Sequence, residues 1–216
     1  LAEAPRRAVP FDLSSLAASG ESIGIDEEIG VEFGAAIMAL SRTGTIVAPS
    51  TSSTERALEL VDRSGRAERL LPRVGEFSDP RFSPDGRRVV LTVGSDIWLL
   101  DRLQGALTRL SFDSSATRAV WSPDGRRVAY VRQIGVLNDL RIMNADGSAP
   151  PESLLALPVV GLWEVLFTPD GRSLVVRTAG GAAGVRDILS VPLGSVAPPE
   201  PLLQSPASEV APAISP

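Results

Sequence analysis

One six-residue phrase, a bulky apolar residue followed by Ser/Thr-Pro-Asp-Gly-Arg, recurs along this chain and constrains its fold more than any other feature. It reads Phe82-Ser83-Pro84-Asp85-Gly86-Arg87, Trp121-Ser122-Pro123-Asp124-Gly125-Arg126 and Phe167-Thr168-Pro169-Asp170-Gly171-Arg172, and Ile214-Ser215-Pro216 starts a fourth copy. From Pro84 to Pro123 is 39 residues, from Pro123 to Pro169 is 46, and from Pro169 to Pro216 is 47. A period of roughly 40–50 residues with strand-like sequence between turns predicts an all-β chain, a β-propeller of four-stranded antiparallel blades. Within each phrase proline presets φ at the first corner, aspartate bonds back to nearby amides and glycine takes the positive φ.

The clearest repeat sets the grammar. Asp79 to Phe82 is extended and enters the turn, Arg88 to Val93 is a β-branched second strand, and Asp96 to Asp101 is a third after Gly94-Ser95. Ala106 to Leu110 alternates toward a fourth strand. Arg127–Val131 and Asp139–Met143 repeat the pattern, with Asn144-Ala145-Asp146-Gly147 as a tight hairpin. Ser173–Arg177 and Asp187–Val191 repeat it again around a glycine-rich insert, 180–184. A weaker copy begins at Ala39, where Arg42-Thr43 replaces Pro-Asp. The expected units are therefore 37–77, 78–115, 116–160 and 161–208, about four to five blades in one propeller domain. Residues 1–36 read as outer strands of a preceding or terminus-closed blade, with 9–12 as third strand and 22–25 as fourth. Residues 209–216 read as the first strand of a further blade. Closure of one blade by both ends would remove exposed sheet edges. Boundaries cutting through a larger propeller are the favoured reading, because Pro216 stops before the expected Asp-Gly. Leu1 in place of an initiator methionine fits the same expectation of a fragment.

Composition narrows the chemistry. The chain of 216 residues carries a formal net charge of −5, which gives no electrostatic support for a nucleic-acid partner. All 21 basic residues are arginine, a bias that fits a GC-rich bacterial genome better than a phosphate-binding design. With no cysteine, disulfides and thiolate metal sites are excluded; with no histidine, Ser-His-Asp chemistry and imidazole ligands are excluded too. No apolar run approaches the roughly 18–20 residues of a membrane span, so no direct membrane insertion is expected. No cofactor and no metal site is expected.

The phrase, the β-branched strand after it and Asp96-Ile97-Trp98-Leu99-Leu100-Asp101 together resemble the TolB-like propeller repeat over about residues 37–216. Phe82 to Phe112, with Val9–Leu13 and Gly44–Val47, also resembles the C-terminal propeller region of bacterial serine/threonine protein kinases. That resemblance implies an extracytoplasmic, sensor-like region beyond a kinase and a membrane span. No kinase motif occurs in the chain itself. The repeat is similar, too, to the gating propeller of prolyl-oligopeptidase-type peptidases, whose hydrolase domain needs a Gly-x-Ser-x-Gly elbow and a histidine.

Among polar residues, Asp85, Asp124 and Asp170 are expected to serve their turns, and Phe82, Trp121 and Phe167 to pack between blades, as are Trp98 and Trp163. Asp96, Asp139 and Asp187 are expected to bond locally where the third strand starts, and the Arg87-Arg88 and Arg126-Arg127 doublets to be solvated ion pairs. The position three residues before the aromatic differs from copy to copy: Asp79, Arg118 and Glu164, with Ile37 and Ala211 at the weaker ends. A propeller's first strand is innermost, so these side chains should line one mouth of the central channel. They are the candidate ligand-binding residues; no catalytic residue is expected. The function expected is a non-catalytic sensing module for a protein, peptide or cell-envelope component, periplasmic or extracytoplasmic, with a cytoplasmic location as alternative. A peptidase-gating propeller is the second reading and a carboxylate-dependent lyase or hydrolase the third.

Overall fold

A computed structural model describes residues 55–135, 137–157, 161–178, 186–194, 197–205 and 212–214, with Glu21 and the backbone of eight short strands between Arg7 and Pro49. Four sheets of four strands follow one another. Blade I comprises Ala39–Leu40, Ile46–Pro49, Leu58–Val61 and Ala67–Arg69. Blade II comprises Phe77–Phe82, Arg88–Val93, Asp96–Asp101 and Leu107–Arg109. Blade III comprises Ala116–Trp121, Arg127–Ile134, Leu137–Asn144 and Glu152–Leu157. Blade IV comprises Leu162–Phe167, Ser173–Thr178, Ile188–Pro192 and Glu200–Leu203. In every blade the strands pair antiparallel in chain order, without a crossover. The first strands of successive blades contact one another, which makes them the inner strands of a radial array. No helix occurs among the described residues.

Near the N-terminus, Arg7–Ala8 pairs with Ile23–Gly24, and Phe11–Asp12 with Ala17–Ala18. Residues 212–214 are in no strand. The glycine-rich insert, Ile37 and Ala211 lie outside the described residues.

The recurrent phrase closes the first hairpin through one hydroxyl. Ser83 Oγ donates to Asp85 Oδ1 at 2.5 Å and accepts from the Arg88 amide at 2.9 Å, while Asp85 Oδ1 accepts from the Arg87 amide at 3.1 Å. Ser122 repeats this with Asp124 and the Arg127 amide, and Asp124 accepts from the Arg126 amide. Thr168 repeats it with Asp170 and the Ser173 amide, and Asp170 accepts from the Arg172 amide. Threonine substitutes for serine because only the hydroxyl is used. The serine or threonine hydroxyl, then the backbone amide, hold all three carboxyls below their ordinary pKa.

Why the second strands are near-continuous apolar runs follows from how blades share them. Side chains alternate across a strand, so each strand feeds two interfaces. Val89 and Leu91 pack with Leu58, Leu71 and Phe77 toward blade I, while Val90 faces Ala119, Val128 and Tyr130 of blade III. Ala129 and Val131 then turn toward Leu162, Val165 and Leu174 of blade IV. Burying each such valine or leucine stabilises the array by about 1.5–3 kcal/mol. Of the recurrent aromatics, Trp121 and Phe167 are buried and Phe82 is half-buried.

One expectation is corrected. Arg88 is not a solvated ion pair: its Nη2 donates to the Gly125 carbonyl at 3.0 Å and its guanidinium lies 4.8 Å from the Trp121 ring centre. Trp121, a large flat π surface on the next blade, offers a better partner than water. Arg102 does the same from the third-to-fourth turn, 5.4 Å from the Phe82 ring.

Candidate functional site

The inner strands of blades II, III and IV each have an irregularity near their start. In blade II the register shifts between Ser78 and Arg81, in blade III between Thr117 and Val120, and in blade IV between Leu162 and Glu164. These are β-bulges, which leave a residue unpaired and re-aim side chains. Asp79 sits in the first with φ 49° and Arg118 in the second with φ 58°. Left-handed backbone disfavours L side chains by roughly 1–2 kcal/mol, and Asp tolerates it better than Arg.

Blade IV departs from this. Its unpaired residue is Trp163, one position earlier, and Glu164 therefore stands directly across from Arg177. Arg177 donates from Nε to Glu164 Oε2 and from Nη2 to Glu164 Oε1, the latter at 2.8 Å. The Arg177 side chain is 8% exposed and that of Glu164 34%, so the pair is half sunk in the blade. Arg118 reaches across from blade III and places its guanidinium 5.0 Å from the Trp163 ring centre; Arg177 lies 5.9 Å from the same ring.

The three candidate residues thus have different fates. Arg118 and Glu164 are joined through Trp163 and Arg177 across the seam between blades III and IV. Asp79 holds the equivalent bulge in blade II, and among the described residues no hydrogen bond or ion pair ties its side chain to either. Reading the sequence missed Trp163 and Arg177. A signal existed: the equivalent positions are Ser78 and Thr117 for Trp163, and Thr92 and Val131 for Arg177, so the copies disagree there too.

The aspartates at the start of the third strands bond locally. Asp96 accepts from Arg109 Nη2 at 2.6 Å, Ser111 Oγ at 3.1 Å and the Ser114 amide at 3.1 Å. Asp139 accepts from Ser153 Oγ and pairs with Arg141 Nε at 3.4 Å, and Asp187 accepts from Gln204 at 3.2 Å. A second polar cluster lies between blades II and III, where Asp113 Oδ2 accepts from Tyr130 Oη at 3.1 Å and from Arg141 Nη1 at 3.3 Å. Burial, then the Asp113 charge, pushes the Tyr130 phenol well above its ordinary pKa. Among the described residues no group of three or more carboxylates could hold a metal ion.

Four-stranded blades in chain order, joined through contacting inner strands, define a β-propeller. The propeller is TolB-like. TolB from Acinetobacter baumannii superposes with a TM-score of 0.63 at 22% identity, covering 84% of this chain and 45% of that one. A putative TolB from Agrobacterium tumefaciens gives a TM-score of 0.70 at 18% identity, covering 87% and 71%. Porphyromonas gingivalis dipeptidyl peptidase 4 gives 0.56 at 18% identity, covering 90% and 36%. In sequence, the Tol-Pal system protein TolB of Anaeromyxobacter dehalogenans is 34% identical over 88 residues, 39% of this chain. An uncharacterized peptidase, YuxL, of Bacillus subtilis is 28% identical over 116 residues, 48% of this chain. The matches span only 20% and 17% of those two relatives' own lengths. No family model matches the chain.

Proposed function

We propose that this propeller is a non-catalytic binding module that receives a protein, peptide or cell-envelope component at the bulged starts of its inner strands, in the extracytoplasmic region of a bacterial signalling protein. The observation that carries the reading is the recurrence of the bulge in blades II and III with a charged residue of opposite sign. Asp79 and Arg118 occupy left-handed backbone at equivalent places on neighbouring blades and carry opposite charge. A bulge made only for stability would favour glycine there; keeping a charged side chain, above all the long one of Arg118, at the strained position supports a surface that contacts something. The TolB-like fold and the kinase-propeller resemblance support the extracytoplasmic setting. The test is selection of a phage-displayed peptide library on the immobilised chain. Enriched peptides should bind the wild type and lose at least about tenfold in affinity on the combined Asp79→Asn, Arg118→Gln variant. No enrichment, or equal binding to both proteins, would sink the reading.

A gating propeller of a prolyl-oligopeptidase-type peptidase is the second reading, favoured by the similarity to YuxL and dipeptidyl peptidase 4. A Gly-x-Ser-x-Gly elbow followed by a histidine downstream in the parent reading frame would favour it over the first.

A further inference from the structure

The geometry points to a carboxylate-reading subsite at the seam between blades III and IV, in which Arg118, held on the Trp163 ring, receives a side-chain or terminal carboxylate of a peptide. This deepens the proposed function and rests on it.

Three observations converge. First, Arg118 is the cation of the group left without a carboxylate: Arg177 takes both oxygens of Glu164, and among the described residues Arg118 makes no ion pair. Second, a guanidinium carries five N–H donors, and among the described residues the one side-chain hydrogen bond of Arg118 is to Thr117 Oγ1 at 3.3 Å. Its fork therefore retains donors for a two-oxygen acceptor. Third, the side chain is held in place from both ends. The bulge sets its backbone at φ 58°, and the indole of Trp163 lies 5.0 Å from its guanidinium carbon. A held fork loses less entropy on pairing than a free surface arginine does. A carboxylate is the complement, because it matches the fork in a plane and brings one charge to one uncompensated cation. A phosphate dianion would bring a second charge that the already paired Arg177 does not meet, and the net charge of −5 disfavours an extended polyanion.

The test follows the indole N–H of Trp163 by nitrogen-15 NMR, its signal assigned by its loss in Trp163→Phe. The probes are acetyl-Gly-Glu-Gly-amide, the same peptide with Gln for Glu, and inorganic phosphate, all at constant ionic strength. The Glu peptide should shift the Trp163 signal saturably, at an affinity at least about tenfold above the Gln peptide and above phosphate. Arg118→Gln should abolish the shift while the Trp98 and Trp121 indole signals stay in place; if it disturbs those signals, Arg118→Lys, expected to weaken the shift severalfold, takes its place. Equal response to the Glu and Gln peptides, a response unaltered by either variant, or a stronger response to phosphate would overturn the assignment. If the seam ignores carboxylate while peptides selected on the chain still lose affinity on the Asp79→Asn, Arg118→Gln variant, the subsite assignment fails and the broader reading stands. Absence of any selected peptide removes the broader reading itself.

Discussion

Trp121 of blade III donates its indole N–H to the carbonyl of Arg81 in blade II at 3.0 Å, tying the two inner strands together just before their recurrent turns. The contact gives the aromatic of the phrase a polar duty besides packing. Phe82 and Phe167, at the same place in their blades, have no such donor, so the II–III seam is fastened differently from the others.

Trp121→Phe keeps most of the buried area and removes the donor. A lost hydrogen bond that leaves a carbonyl under-satisfied costs about 0.5–1.5 kcal/mol. Urea unfolding should show the midpoint falling by that equivalent with an unchanged slope; no change in midpoint would mean that the bond contributes nothing.

The turn carboxyls set the acid limb of stability. Asp85, Asp124 and Asp170 titrate below their unfolded value of 3.8, because serine or threonine hydroxyls and backbone amides bond the ionised form. A depressed folded pKa means that the contribution is present above the unfolded pKa and is lost as pH falls through the folded one. Replacing all three by Asn should therefore flatten the decline in stability below about pH 4. A decline as steep as that of the wild type, measured by melting temperature against pH, would contradict the turn geometry.

Tyr130 is the chain's one tyrosine, fully buried with its hydroxyl on Asp113. Its raised folded pKa means a contribution present below the unfolded value near 10 and lost as pH rises beyond it. Absorbance at 295 nm should stay flat through pH 10–11 and rise only together with unfolding seen by circular dichroism. A phenolate signal in the folded protein near pH 10 would show Tyr130 to be open to water.

Glu164 and Arg177 should behave as a pair. Removing one partner of a buried pair leaves the other charge uncompensated, so Glu164→Ala should destabilise by about 2–4 kcal/mol, less than for a fully buried pair because Glu164 is partly in water. Glu164→Gln, or the double change Glu164→Leu with Arg177→Met, should cost less than Glu164→Ala. Denaturant unfolding decides it, and additive single and double effects would show that the two residues are uncoupled.

The scaffold was legible because its chemistry is local. Proline, aspartate and glycine within four residues state the turn, and the β-branched run after each states the second strand; Arg88–Val93 and Asp96–Asp101 are strands at the residues where that pattern puts them. What escaped depends on neighbours distant in the chain. Arg88 and Arg127 follow the same turn, yet Arg88 settles on Trp121 of the next blade, and nothing near Arg88 in sequence announces that partner. The ion pair of Glu164 escaped for a different reason. It arises because blade IV bulges at Trp163, one residue earlier than blades II and III do, and a one-residue slip exchanges which side chains face each other.

The proposed division of labour gives the fold to the turn residues that the copies share and ligand contact to Asp79 and Arg118, where they differ. Its most direct test is calorimetric titration of one selected peptide into two variants. Asp79→Asn with Arg118→Gln should melt within a few degrees of the wild type and lose at least about tenfold in affinity. Ser83→Ala with Ser122→Ala should melt several degrees lower, since each removes turn hydrogen bonds worth about 1 kcal/mol, and keep its affinity. The converse outcome, affinity lost with the turn hydroxyls and kept without Asp79 and Arg118, would contradict the account.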